Sequence, residues 1–179
     1  GPVVVGGPIE VQGFASFVAT LDFTGSPHIT SLSGSQVTCT ANLTAVTLQS
    51  ILAAPDFAGS LTFGGTLDNS GAVLDLSSTF SLAFANAVIA GGTLITDATD
   101  ILAGTTLDSV TLAGTLTTAP GDANVATGTV TGGAIAIDGT FGFADFAVIS
   151  GTDITLGPNA LINGANASEI TFTAGTAIH

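Results

Sequence analysis

Thirteen Asp and Glu carboxylates, two histidines and a single cysteine are the only ionisable side chains in this 179-residue sequence, which holds no Lys, Arg, Tyr or Trp. Oxygen ligands for a hard cation are the chemistry such a set offers most readily. Asp97, Asp100 and Asp108 lie in one stretch, and the turns DNSG at 68–71 and GDAN at 121–124 are rich in oxygens of the kind that hold Ca2+. Neither an EF-hand loop nor the nonapeptide calcium repeat is present. The three aspartates are thus candidates for a weak Ca2+ site bridging acidic subunits. The same carboxylates also read as a solvated, mutually repelling rim that holds no cofactor.

Catalysis finds less to work with. A nucleophilic serine needs an activating base, and the histidines are His28, in a Pro-containing loop, and His179, at the last position. A glycosidase needs two opposed carboxylates in a cleft, commonly lined by aromatic rings, yet all 11 aromatics here are Phe. The expectation is therefore no enzyme, with a hydrolase as the remote alternative. Cys39 cannot form an intramolecular disulfide, and its place in QVTCTANL reads as a small buried hydrophobe, with an intermolecular bridge or a reactive thiol as the alternatives. Asn42-Leu43-Thr44 and Asn166-Ala167-Ser168 match the glycosylation sequon, which matters only in a eukaryotic source.

Charge excludes whole classes of partner. A formal net charge of -13 with no cation rules out nucleic acid, because phosphate binding needs Lys or Arg to displace counterions. An anionic membrane surface is excluded on the same ground. The longest apolar stretch, around 82–95, is broken by Asn86, Gly91, Gly92 and Thr93, so no membrane span is expected. With no salt bridge available except to the N-terminal amine or a protonated histidine, the fold must rest on apolar burial and backbone hydrogen bonds. The lack of Lys and Arg also leaves no site for a trypsin-like protease, which suits exposure outside a cell.

The elements that must position these groups are strands. Hydrophobic residues make up 46% of the chain and mean hydropathy is +0.69, which excludes disorder, while 24 Gly and abundant Thr and Ser are wrong for a helical bundle. Phe80, Leu82 and Phe84 alternate with Ser81 and Ala83, and Val110, Leu112 and Leu116 recur between threonines, the period-2 signature of strands. Strands are expected at 3–5, 9–23 with a break at Gly13, 28–32, 37–43 and 46–51, with a helical turn allowed only at 52–59. Between Gly92 and Gly151 the Gly-Thr punctuation falls at steps of 12, 10, 14, 11 and 12. That spacing fits either the hairpins of a β-sandwich or half-coils of a parallel β-solenoid.

In the solenoid, Leu94, Leu107, Leu112 and Leu116 would stack in ladders along a narrow core; in the sandwich they would line two facing sheets. Gly1-Pro2 matches the pair a 3C-type protease leaves after tag removal and is set aside, leaving 3–179 as one all-β domain. Val3, Val4 and Val5 read as a first strand or as an apolar arm donated to a neighbouring subunit. Thr38-Cys39-Thr40, Thr115-Leu116-Thr117, Thr129-Val130-Thr131 and Thr171-Phe172-Thr173 repeat the triplet found on ice-binding solenoid faces, at separations of 77, 14 and 42.

The segments GGTLDNSGAVLDL, ANAVIAGGTLITDATDILAGTTLDSVTLAGTL and DITLGPNALINGANASEITFTAGTAI resemble repeats of bacterial extracellular β-helix adhesins and matrix proteins, over about half of the chain. The resemblance implies a β-solenoid at the cell surface or outside the cell, in a structural or adhesive setting, and carries no catalytic residues. Positions 1–60 depart from it, with longer strands and irregular punctuation. The expectation is accordingly a non-enzymatic extracellular structural protein that forms a homo-oligomer or homopolymer, filament or biofilm matrix. A monomeric adhesive or ice-binding module is the alternative.

Overall fold

Alternating apolar residues bounded by Gly, Asn and Asp corners leave the backbone one economical arrangement: short strands whose N–H and C=O groups pair between coils while one face of each strand is buried. The computed structural model describes residues 3–5, 9–11, 14–23, 29–31, 36–53, 60–76, 82–96, 102–118 and 120–179. In chain order the strands are β1 Val3–Val5, β2 Ile9–Val11, β3 Phe14–Phe23, β4 Ile29–Ser31 and β5 Gln36–Thr44, followed by helix α1 Ala45–Leu52. Next come β6 Ser60–Asp68, β7 Val73–Asp75, β8 Leu82–Ala90, β9 Thr93–Thr96, β10 Leu102–Ala103, β11 Thr106–Asp108 and β12 Thr111–Thr118. The remainder are β13 Ala123–Thr127, β14 Thr129–Thr131, β15 Ala134–Ile137, β16 Thr140–Ser150, β17 Asp153–Leu156, β18 Leu161–Phe172 and β19 Ala177–Ile178.

Every strand pairing among these residues is parallel, so the chain is a β-solenoid and the sandwich alternative falls. A sandwich of hairpins would have paired neighbours in antiparallel fashion. Register partners on successive coils are separated by a full coil of sequence, Ala123 with Thr140 among the shortest steps and Gln36 with Ser60 among the longest. The N-terminal part, irregular as it is in sequence, joins the same stack through β1, β3 and β5. One ladder runs through nine rungs, β1, β3, β5, β6, β8, β11, β13, β16 and β18.

The core is a set of columns. Leu43, Leu67, Ile89, Leu107, Ala126 and Phe143 stack in register and all are buried. Leu74, Leu94 and Leu112 form a second buried column, and Leu116, Ile135 and Ile154 a third, so all four leucines expected in ladders are there. β12 serves two ladders, Thr111–Gly114 against β9 and Thr115–Thr118 against β15. Phe63 and Phe84 meet edge to face at 6.0 Å between ring centroids on consecutive rungs.

The strand expected at 46–51 is instead α1. Thr44 caps it, its hydroxyl accepting from the Thr47 backbone N–H at 3.2 Å, and Ala45, Leu48 and Ile51 turn one face inward. The capped turn and burial of Leu48 and Ile51, ~1.5–3 kcal/mol per side chain, outweigh the strand preference of Val46 and Thr47. In chain order α1 takes the place that β4 and β7 hold on neighbouring coils. Gln49 Nε2 donates to the Val73 carbonyl at 2.7 Å, so the helix serves the edge of β7 that no strand pairs with among the described residues.

Candidate assembly surface

The last coil is where the columns stop being covered. Ile162 stacks on Phe141, Phe172 on Ile149 and Ile178 on Ile154, each continuing a column whose preceding rung is fully buried. On this coil and the adjoining corner the exposures rise to 40% for Ile162 and Leu156, 43% for Phe172, 50% for Ile178 and 56% for Leu161. Phe172 still touches the buried Phe143 ring edge to face, at 6.2 Å between centroids. Among the described residues no strand pairs with the outer edge of β18 or β19. The surface therefore joins an open row of backbone hydrogen-bonding groups to a row of half-covered apolar side chains.

At the opposite end Val3–Val5, the candidate arm, forms β1 and pairs in parallel with Leu21–Phe23 of the same chain. The register, followed rung by rung, puts Val3 in the column that ends at Ile162 and Val4 in the column that ends at Asn163. The two ends of the solenoid thus terminate the same columns.

Among the candidate metal ligands, Asp97 and Asp100 lie outside the described residues. Asp108 sits on a corner, its Oδ1 accepting from Ser109 Oγ at 2.9 Å. No group of three or more His, Cys, Asp or Glu converges among the described residues. Both oxygen-rich turns direct their asparagine inward. Asn69 is buried and its Nδ2 donates to the carbonyls of Gly91 and Thr93 on the next coil, at 3.2 and 3.1 Å. Asn124, also buried, accepts from Thr105 N–H at 2.9 Å and donates to Thr118 Oγ1 at 3.2 Å. These side chains fasten corners to the core, a role sequence reasoning missed; the signal available was an Asn beside an apolar run at a coil corner. Asp68 stays outside with its carboxyl held below the usual carboxylate range, chiefly by the Ser70 backbone N–H at 3.0 Å.

Of the cysteine and the two histidines, Cys39 is 2% exposed and burial pushes its thiol up to about 11. His28 lies outside the described residues, while His179 Nε2 meets Asp153 Oδ1 at 2.9 Å on the exposed last coil.

The threonine triplets separate by ladder. Thr129-Val130-Thr131 and Thr171-Phe172-Thr173 fall on one face, two coils apart, with Val148-Ile149-Ser150 between them. Thr93 and Thr111 extend the column beyond Thr131, and the Thr111 and Thr131 hydroxyls lie 3.0 Å apart. Thr115-Leu116-Thr117 stands on another ladder, against Ala134, Ile135 and Ala136.

No helix among the described residues is long and apolar enough to cross a membrane. No protein-family model, curated protein or solved structure matches the chain with significant similarity.

Proposed function

We propose that this chain is a non-enzymatic, extracellular structural subunit that associates with copies of itself into filaments or matrix. The observation that carries the reading is the last coil, where Ile162, Phe172 and Ile178 are about half exposed although the residues they stack on, Phe141, Ile149 and Ile154, are fully buried. Covering each would contribute on the order of 1 kcal/mol, and the open strand edge adds directional hydrogen bonds that a parallel strand satisfies. A chain without Lys or Arg, offering no trypsin-type cleavage site, is suited to the outside of a cell. Sedimentation velocity and negative-stain microscopy over a wide concentration range test the reading. Particles that grow with concentration support it, and a strictly monomeric species throughout refutes it.

One observation favours a second reading, a monomeric module that binds ice. The hydroxyl column Thr93, Thr111, Thr131 and Ser150, flanked by Thr129 and Thr171, forms a regular array along one face. An ice-recrystallisation assay discriminates: activity abolished by Thr131→Tyr supports this reading, and no activity in the parent protein ends it.

A further inference from the structure

Resting on the self-association reading, we infer that the copies stack head to tail: β1 of one copy adds in parallel to the open edge of β18 of the next, Val3–Val5 lying over Ile162–Gly164. The occupant is a second copy of this chain because its N-terminal end begins the very columns that the C-terminal end leaves open. Val3 and Ile162 share one column of the ladder, and Val4 and Asn163 the adjacent one. Translation along the solenoid axis therefore keeps the parallel sense and the side-chain register of every coil-to-coil step within the chain. Three consecutive β-branched valines are strong strand formers at the position that would cover Ile162, which is 40% exposed.

A two-fold arrangement that joins two C-terminal ends lacks this fit. It reverses the direction in which the coil is traced, so faces of unequal length meet: β18 spans 12 residues while β19 spans two. Strand can then lie on strand along one face at most. Head-to-tail contact is heterologous and does not close on itself, so it propagates as an open filament. Nine rungs at the usual strand spacing give an axial repeat of about 43 Å per subunit.

Site-directed cross-linking tests the inference in the full chain. Val4→Cys and Asn163→Cys are made separately, and the buried Cys39 stays as it is. Within one chain the two positions are separated by eight rungs, about 38 Å, far beyond the ~4–7 Å between Cα atoms that a disulfide spans. Thr111→Cys, on a side face, gives the background rate of random collision. Circular dichroism confirms that each variant keeps the parent fold.

Under mild oxidation, an equimolar mixture of Val4→Cys and Asn163→Cys should form the mixed disulfide dimer at least tenfold faster than the Thr111→Cys background, with neither variant dimerising quickly alone. The double variant should give a ladder of covalent multimers. Rapid dimerisation of Asn163→Cys alone would establish the two-fold arrangement and overturn the inference. If the parent sediments as a multimer yet no pair cross-links above background, assembly uses other surfaces, and the inference falls while the self-association reading stands. A parent that remains monomeric at every concentration removes both and points to another segment or partner as the cover of the last coil.

Discussion

Two glycines offer a matched test of the coil-to-coil register on which all the preceding reasoning stands. Gly71 and Gly92 occupy successive corners with nearly equal positive φ, 69° and 67°. Replacing either with alanine carries the same intrinsic strain, about 1–2 kcal/mol. Their surroundings differ completely. A Cβ on Gly71 meets nothing within 4 Å, whereas one on Gly92 would lie 2.0 Å from the Asn69 carbonyl oxygen, 2.5 Å from Asn69 Nδ2 and 2.7 Å from the Ala72 carbonyl oxygen.

Those atoms hold one coil to the next. Ala72 O accepts from Thr93 N–H at 3.0 Å, and Asn69 Nδ2 donates to the Gly91 and Thr93 carbonyls at 3.2 and 3.1 Å. Making room for a methyl group must stretch or break these bonds. At about 1 kcal/mol net for each bond, with Nδ2 of buried Asn69 losing partners while its Oδ1 already lacks one among the described residues, the added cost is about 2–4 kcal/mol. Gly92→Ala should therefore destabilise by about 3–6 kcal/mol and Gly71→Ala by about 1–2 kcal/mol, against a total stability of about 5–15 kcal/mol for an ordinary domain.

The assay is urea unfolding followed by circular dichroism, because the chain has neither Trp nor Tyr to report by fluorescence. It belongs at neutral pH and low protein concentration, where the carboxylates keep molecules apart. Two variants within about 1 kcal/mol of each other would mean that the coils do not meet at this corner as the register requires.

Three other consequences are open to direct measurement. The buried Cys39 thiol should resist aromatic disulfide reagents in the folded protein and react once urea unfolds it; because its pKa is raised from 9.0 to about 11, the stability linked to its protonation is complete below pH 9 and is lost as pH rises through 11, a fall that Cys39→Ala should lack in urea titrations. Asn124→Ala should cost about 2–3 kcal/mol in the same assay, since it removes the acceptor for the Thr105 N–H in a buried corner, and a change below about 0.5 kcal/mol would contradict the geometry. Lowering pH toward the sequence pI of 4.1 should sharply increase particle size by light scattering, with Asp68 keeping its charge below the usual carboxylate range; a flat profile would show that charge repulsion does not restrain association.

Much of the core was legible from period and spacing. Leu94, Leu107, Leu112 and Leu116 alternate with small polar residues, and the Gly-Thr corners from Gly92 to Gly151 recur too often for helices. The choice between sandwich and solenoid was not, because strand alternation reports which face is buried and is silent about which strand lies alongside. Helix α1 escaped for a local reason: Val46 and Leu48 alternate with Thr47 and Gln49 much as a strand would, and the Thr44 cap told against it. Asn69 and Asn124 looked like cation ligands because a corner side chain can point either way, and composition does not say which. That a solenoid leaves exposed ends needing caps or partners was legible, but which residues would form them was not. Ile162 and Ile178 differ from buried Ile135 and Ile154 only in having no rung above them.

The same composition that denies this chain Lys and Arg salt bridges also denies it the usual protection for a strand edge. Lysines commonly blunt such edges, and none is available. What restrains the open end is the net charge of -13, a force that reaches over the Debye length, ~8 Å at physiological salt and ~30 Å in very dilute buffer. The proposed contact between β1 of one copy and β18 of the next would act only at the strand spacing of ~4.8 Å. Dilute buffer lets repulsion stop copies before their edges meet, whereas physiological salt shrinks it nearly to contact range. If copies associate through these edges as proposed, ionic strength and acidity should govern the assembly, with particles small in dilute buffer and growing as salt is raised.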